Sequence, residues 1–180
     1  MPLKLDVSND DEIKNVLERA RTYFDPVTVL INNAGIKSNE RLIDGDVNKI
    51  QKTLSINAES VPRLTRIVYK DSLRDCGGSI INIGSSISSR GAVFNYQAGG
   101  ADYCYSKAIV HDMTQLLAYE AASQNVTVNA IAPGIIQTPL HGRPAEETEQ
   151  RHKGRIPLGR VGHPEDLSLI HISEPTRLGF

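Results

Sequence analysis

Val27-Thr28-Val29-Leu30-Ile31-Asn32-Asn33-Ala34-Gly35 is a short β-branched run that stops on a polar, glycine-bearing turn. Such a run is too short for a helix of ordinary length and reads as a buried strand. The pattern recurs twice. Ser79-Ile80-Ile81-Asn82-Ile83 ends in Gly84-Ser85-Ser86, and Thr127-Val128-Asn129-Ala130-Ile131 ends in Ala132-Pro133-Gly134. Lys4-Leu5-Asp6-Val7 reads as the end of a further strand. Helical segments fill the intervals. Ser8 or Asn9 caps the first, Asp10, Asp11 and Glu12 suit its positive end, and Ile13, Val16, Leu17 and Ala20 form its apolar stripe. Asp25-Pro26 stops it. A longer helical region runs from about Val47 to Leu73, with Pro62 as a kink or join and Gly77-Gly78 as its break. Alternating strands and helices predict a doubly wound parallel sheet with helices on both faces and right-handed crossovers. Ligands of such sheets bind beyond the carboxyl ends of the strands. Asp6-Val7, the turn from Asn32 to Gly35, Gly84 to Ser86, and Pro133 onward all follow strand ends, so they are expected along one edge.

Tyr103-Cys104-Tyr105-Ser106-Lys107 opens the apolar-periodic run from Ala108 to Ala118, which reads as a helix. Residues four apart share a helical face, so the Tyr103 phenol and the Lys107 ammonium point the same way. A cation beside a phenol lowers its pKa from near 10, which suits proton exchange with a substrate hydroxyl or carbonyl oxygen. Taken alone, the spacing also fits a surface helix with one aromatic and one solvated lysine. Cys104 and Tyr105 read as helix packing.

The chain of 180 residues fits one domain with a sizeable core. A net charge of −1 gives no sign of a nucleic-acid or anionic-membrane partner. Cys76 and Cys104 are too few for a disulfide framework, and a reducing cytoplasm is the expected location. No apolar run approaches the roughly 20 residues of a membrane span. His141 and His163 lack partners at metal-ligand spacing, so no metal site is expected.

In their order along the chain, these pieces resemble the short-chain dehydrogenase/reductase family. The likeness runs from Lys4 to Asp166 and rests on Asp6-Val7, Asn32-Asn33-Ala34-Gly35, Asn57 within Ser55-Ile56-Asn57-Ala58, Asn82-Ile83-Gly84-Ser85, Tyr103 to Lys107, and Pro133-Gly134-Ile135-Ile136-Gln137-Thr138. It implies a Rossmann-like fold and an oxidoreductase that moves hydride between NAD or NADP and an alcohol or ketone. The parent protein is expected as a homodimer or homotetramer. Tyr103 becomes the general acid/base. Ser85 hydrogen-bonds the substrate oxygen, with Ser86 as a competitor for that role. Lys107 lowers the tyrosine pKa and binds the nicotinamide ribose. Asn57 holds a proton-relay water, or is a helix-breaking asparagine satisfied by backbone. Asp6 and Val7 contact adenine, unless Asp6 only caps the next helix. Asn33, Ala34 and Gly35 admit the adenosine ribose, and the same tetrapeptide ties neighbouring strands. Pro133 and Gly134 shape the turn from which the Ile136 backbone meets the carboxamide and Thr138 meets a phosphate. That stretch also reads as an ordinary Pro-Gly turn.

Two departures stand out. The stretch from Phe94 to Ala101, with Tyr96 and Gln97, looks inserted and is expected to border the substrate pocket. The family's opening strand, glycine turn and helix have no counterpart before Asp6, so the first β-α-β part of the sheet, and with it the choice between NAD and NADP, is expected to be missing. Residues 1–166 are read as a partial NAD(P)-binding catalytic domain. Residues 167–180 are read as a non-native tail, because Leu167 to Arg177 resembles the conceptual translation of a sequencing-library adapter, with Pro175 where helix and then a last strand are expected.

Within the family, reduction of a 3-oxoacyl thioester and oxidation of a sugar or secondary alcohol are both common. Pro139 to Arg143 and the charged segment from Glu146 to Lys153 read as a substrate lid. The enzyme reading belongs to the parent protein; the fragment itself, without the glycine turn, is expected to bind nicotinamide nucleotide poorly and to be inactive. The competing reading is a non-catalytic fragment or binding module with an incomplete cofactor site.

Overall fold

The computed structural model describes residues 2–89 and 100–168. The chain divides into two compact units, Met1–Ala132 and Pro133–Phe180.

The first unit is built on three parallel strands, β1 (Val29–Asn32), β2 (Gly78–Ile83) and β3 (Val126–Ile131), in the order β1-β2-β3. Leu30 pairs with Ile80, and Ile80 with Val128, so the apolar side chains of successive strands stack in register. Helix α1 (Asp10–Arg21) precedes β1. Between β1 and β2 lie α2 (Val47–Leu54), α3 (Ser60–Val68) and the short α4 (Arg74–Cys76); between β2 and β3 lie the short α5 (Ser86–Ser89) and the long α6 (Ala101–Ala121). Ile13, Leu17, Val68, Leu73 and Ala121 from these helices bury against Leu30, Ile80 and Val128 in one cluster. The helices supplying that cluster therefore share one face of the sheet. The strand order never reverses among the described residues, and right-handed crossovers running in one direction keep their helices on one side. The parallel sheet with flanking helices is the expected incomplete α/β, Rossmann-like fold; among the described residues only one face is covered, and Val29 and Ile31, aimed the other way, are 54% and 56% exposed.

Lys4 to Val7 is not a strand. It forms an Asx turn, in which Asp6 Oδ1 accepts from the Ser8 amide at 2.9 Å and the Ser8 hydroxyl at 2.6 Å. The helix cap is Asn9, which accepts from the amides of Asp11 and Glu12. The long helical region is interrupted, but not at Pro62. Two π-helical turns, Ser55–Glu59 and Tyr69–Leu73, flank α3, and Pro62 sits in the first turn of α3. A proline there lacks only a helical N–H that the π turn before it has already displaced from regular pairing.

The second unit contains a 3-10 turn (Pro139–His141), α7 (Ala145–His152) and a 3-10 turn (Pro164–Leu167). Ile136 bridges Gly162 in parallel, and the Gln137 amide donates to the Gly162 carbonyl at 2.8 Å. The insertion from Phe94 up to residue 99, and the tail from residue 169, lie outside the described residues. No helix among the described residues is long and apolar enough to cross a membrane.

Candidate active site

Strand β2 delivers Ser85 at its carboxyl end, and α6 delivers Tyr103, Lys107 and His111 from three successive turns of one face. The Ser85 hydroxyl accepts from the Ile87 amide at 3.4 Å and acts on the Tyr103 phenol, drawing its pKa down. Lys107 Nζ lies 5.9 Å from the centre of the Tyr103 ring and donates to the Ile83 carbonyl at 2.5 Å. The three residues read from the sequence as a catalytic set are thus together. Ser86, the competitor, is exposed and opens α5.

The electrostatics differ from the expectation. Burial lifts the Tyr103 phenol above its usual value of 10, the Ser85 hydrogen bond pulls it back, and neighbouring Cys104 adds a smaller rise. Burial also draws Lys107 down to about 8. Lys107 is 4% exposed, and desolvation penalises both charged forms in the same enclosed space. The cation faces the ring and the Ile83 carbonyl, so its effect on the phenol is subordinate to burial.

Asn57 lies within the first π turn and is 1% exposed. Its Oδ1 accepts from the Ile36 amide at 2.8 Å, and its Nδ2 donates to the Ile36 carbonyl at 2.9 Å and to Ser106 Oγ at 3.0 Å. Both donor hydrogens are therefore used, and the backbone-satisfied alternative is realised. One lone pair of Oδ1 remains beyond the Ile36 bond. The clamp carries the exposed turn of Asn33, Ala34 and Gly35 up against the site. A Cβ added at Gly35 would stand 3.4 Å from Asn57 Oδ1 and 3.8 Å from Lys107 Nζ.

Two supports underlie the site; the sequence reads the tetrapeptide at Asn32 as tying neighbouring strands, but shows neither its partners nor the second support. Asn32, Asn82 and Thr114 form a buried polar chain beneath the site: Asn32 Nδ2 donates to Asn82 Oδ1 at 2.8 Å, and Asn82 Nδ2 to Thr114 Oγ1 at 2.9 Å. Asp102, fully buried, accepts from the Ser38 hydroxyl at 2.5 Å and the Glu40 amide at 3.1 Å, which fixes the start of α6. These partners are far apart in sequence. His111 alone had a local signal, since it repeats the four-residue step from Tyr103 to Lys107.

Asp6 holds its own turn, and Val7 is half-buried beside it. Pro133, Gly134, Ile136 and Thr138 belong to the second unit. There the Ile136 carbonyl lies 2.9 Å from His141 Nε2, and the Thr138 carbonyl accepts from the His141 amide at 3.2 Å. Among the described residues, no group of three or more His, Cys, Asp or Glu side chains is placed to hold a metal ion.

The family model described as Enoyl-(Acyl carrier protein) reductase matches residues 1–170. The chain belongs to the short-chain dehydrogenase/reductase family. Relatives in this family include the 3-oxoacyl-(acyl-carrier-protein) reductase FabG of Thermotoga maritima, 34% identical over 169 residues, covering 94% of this chain and 67% of that protein. The same enzyme from Pseudomonas aeruginosa is 33% identical over 168 residues, covering 93% of this chain and 66% of that protein. A short-chain type dehydrogenase/reductase from Mycobacterium marinum has a similar structure, with a TM-score of 0.84 at 29% identity, covering 96% of this chain and 66% of that one. The chain thus spans about two thirds of the length of the short-chain dehydrogenase/reductases it matches.

Proposed function

We propose that the protein is an NAD(P)-dependent oxidoreductase acting on an alcohol or ketone. The observation that carries this is the meeting of Ser85, Tyr103 and Lys107 at the carboxyl end of β2. Family relatives named as reductases support it.

The residues present fit a nicotinamide nucleotide. Lys107 has three donor hydrogens, and its bond to Ile83 employs one of them, leaving donors suited to ribose hydroxyls. The Gly35 backbone opens beside it with no side chain in the way. Within the first unit, Asn33, Ala34 and Gly35 suit the adenosine ribose, and Asp6 and Val7 the adenine. When bound, the nucleotide supplies or takes the hydride. Tyr103 gives a proton to the carbonyl oxygen in the reducing direction and takes one from the hydroxyl in the other. A phenol held above its usual pKa is protonated at neutral pH, which favours the donating role. The Ser85 hydroxyl hydrogen-bonds the same oxygen and steadies its charge. Asn57 keeps the Ile36 turn against the site, and its remaining Oδ1 lone pair can receive a relay water.

The test is Tyr103→Phe, assayed for nicotinamide-coupled turnover on a panel of 3-oxoacyl thioesters, ketones and secondary alcohols, with a nucleotide titration alongside. Turnover should fall by roughly 10²–10⁴-fold while nucleotide affinity and melting are kept. Near-normal turnover in a folded Tyr103→Phe protein would remove the acid/base assignment.

A further inference from the structure

The face of α6 that carries Tyr103 and Lys107 continues to His111. Its Nε2 lies 3.2 Å from the Ser85 amide nitrogen and 3.3 Å from the Ser85 carbonyl oxygen. That carbonyl already accepts from the Ser88 amide at 3.2 Å and the Ser88 hydroxyl at 2.6 Å. The ring's service to Ser85 is therefore to accept its N–H at Nε2. Glycine at 84 makes the approach feasible: a Cβ there would stand 2.4 Å from His111 Nε2. From the other side, the Gly84 amide donates to the Ile131 carbonyl of β3 at 2.8 Å. The peptide leading into Ser85 is thus held between α6 and β3, with the Ser85 hydroxyl turned to Tyr103.

We propose that His111 is a positioning residue, whose Nε2 holds the Ser85 peptide so that the Ser85 hydroxyl meets the Tyr103 phenol. This rests on the roles given above to Ser85 and Tyr103. Leucine at 111 leaves the amide without its acceptor and the turn free to re-aim. Glutamine reaches as far as the imidazole Nε2 and can grip the same peptide, much as Asn57 grips Ile36. Asparagine stops short, so glutamine should rescue and asparagine should not.

The test labels the protein with tyrosine carrying carbon-13 at Cζ and follows the Tyr103 titration by NMR, assigned by its loss in Tyr103→Phe. Because the Ser85 bond pulls the phenol pKa down, Ser85→Ala should move the Tyr103 midpoint up. His111→Leu and His111→Asn should move it the same way, and His111→Gln should restore it. In turnover, His111→Leu should lower kcat about tenfold with KM little changed, the size expected for losing one hydrogen bond to a developing charge. That loss should vanish in the Ser85→Ala background. A Tyr103 midpoint that moves in Ser85→Ala but not in His111→Leu overturns the positioning role alone. So does a His111→Leu loss that adds in full to that of Ser85→Ala. A midpoint unmoved by Ser85→Ala overturns the Ser85–Tyr103 pairing itself, and this role with it.

Discussion

Replacing Lys107 with methionine should stabilise the fold at neutral pH while damaging activity. The ammonium is buried, and its pKa stands at about 8 against the usual 10.5. That gap corresponds to about 3 kcal/mol of destabilisation at any pH where the lysine is charged in both folded and unfolded chains. Methionine removes the penalty and fills a similar volume, but it also loses the bond to the Ile83 carbonyl, worth about 1 kcal/mol. The net gain is about 2 kcal/mol near pH 7, or roughly 5 °C in melting temperature for a chain of this size. The advantage depends on pH in a defined sense. Between about 8 and 10.5 the folded protein has released the proton and the unfolded chain has not, so wild-type stability rises relative to the variant. By pH 10 Lys107→Met should be no more stable than wild type. Urea unfolding at both pH values measures this. A variant less stable at pH 7, or a difference that ignores pH, would refute the claim that burial rather than pairing governs this lysine. Turnover should fall in the same variant, because the cation proposed to hold the ribose is gone.

Asn57→Ala removes three hydrogen bonds around Ile36 and Ser106 and should destabilise by about 2–4 kcal/mol in thermal or urea unfolding. Gly84→Ala places a methyl 2.4 Å from the His111 ring; turnover should drop, and His111→Ala in the same chain should recover part of the lost stability. Tyr103→Phe should cut turnover with melting within a few degrees of wild type, as read in paired activity and unfolding assays.

The strands were legible because each is a short β-branched run bounded by turn residues, and β2 and β3 begin within a residue of the reading. Tyr103 and Lys107 were legible because helical spacing alone aligns them. The misreadings have separate physical origins. Lys4 to Val7 looks like a strand, yet a strand needs a partner, and Asp6 instead meets Ser8. The π turns escape a scan for apolar period, since they shift the phase of a helix without changing its composition. The depressed lysine and raised phenol depend on burial, which the spacing does not report. The Asn32–Asn82–Thr114 chain joins residues on two strands and a helix that only the assembled sheet brings together.

The π turn at Ser55–Glu59 also sets how this segment can drift over time. Each residue added to a helix rotates the rest of that helix by about 100°. A π turn holds one surplus residue within a widened turn, so the helix on either side keeps its phase, and a deletion inside it restores a regular helix. A deletion elsewhere in α2 or α3 has no such slack: Val68 would swing away from the core, or Asn57 away from Ile36. Substitutions can accumulate along α2 and α3, but single-residue length changes there should be purged, save a deletion that closes the π turn. In a library of such length variants, the surviving chains should change length outside α2 and α3 or lose one residue at the π turn.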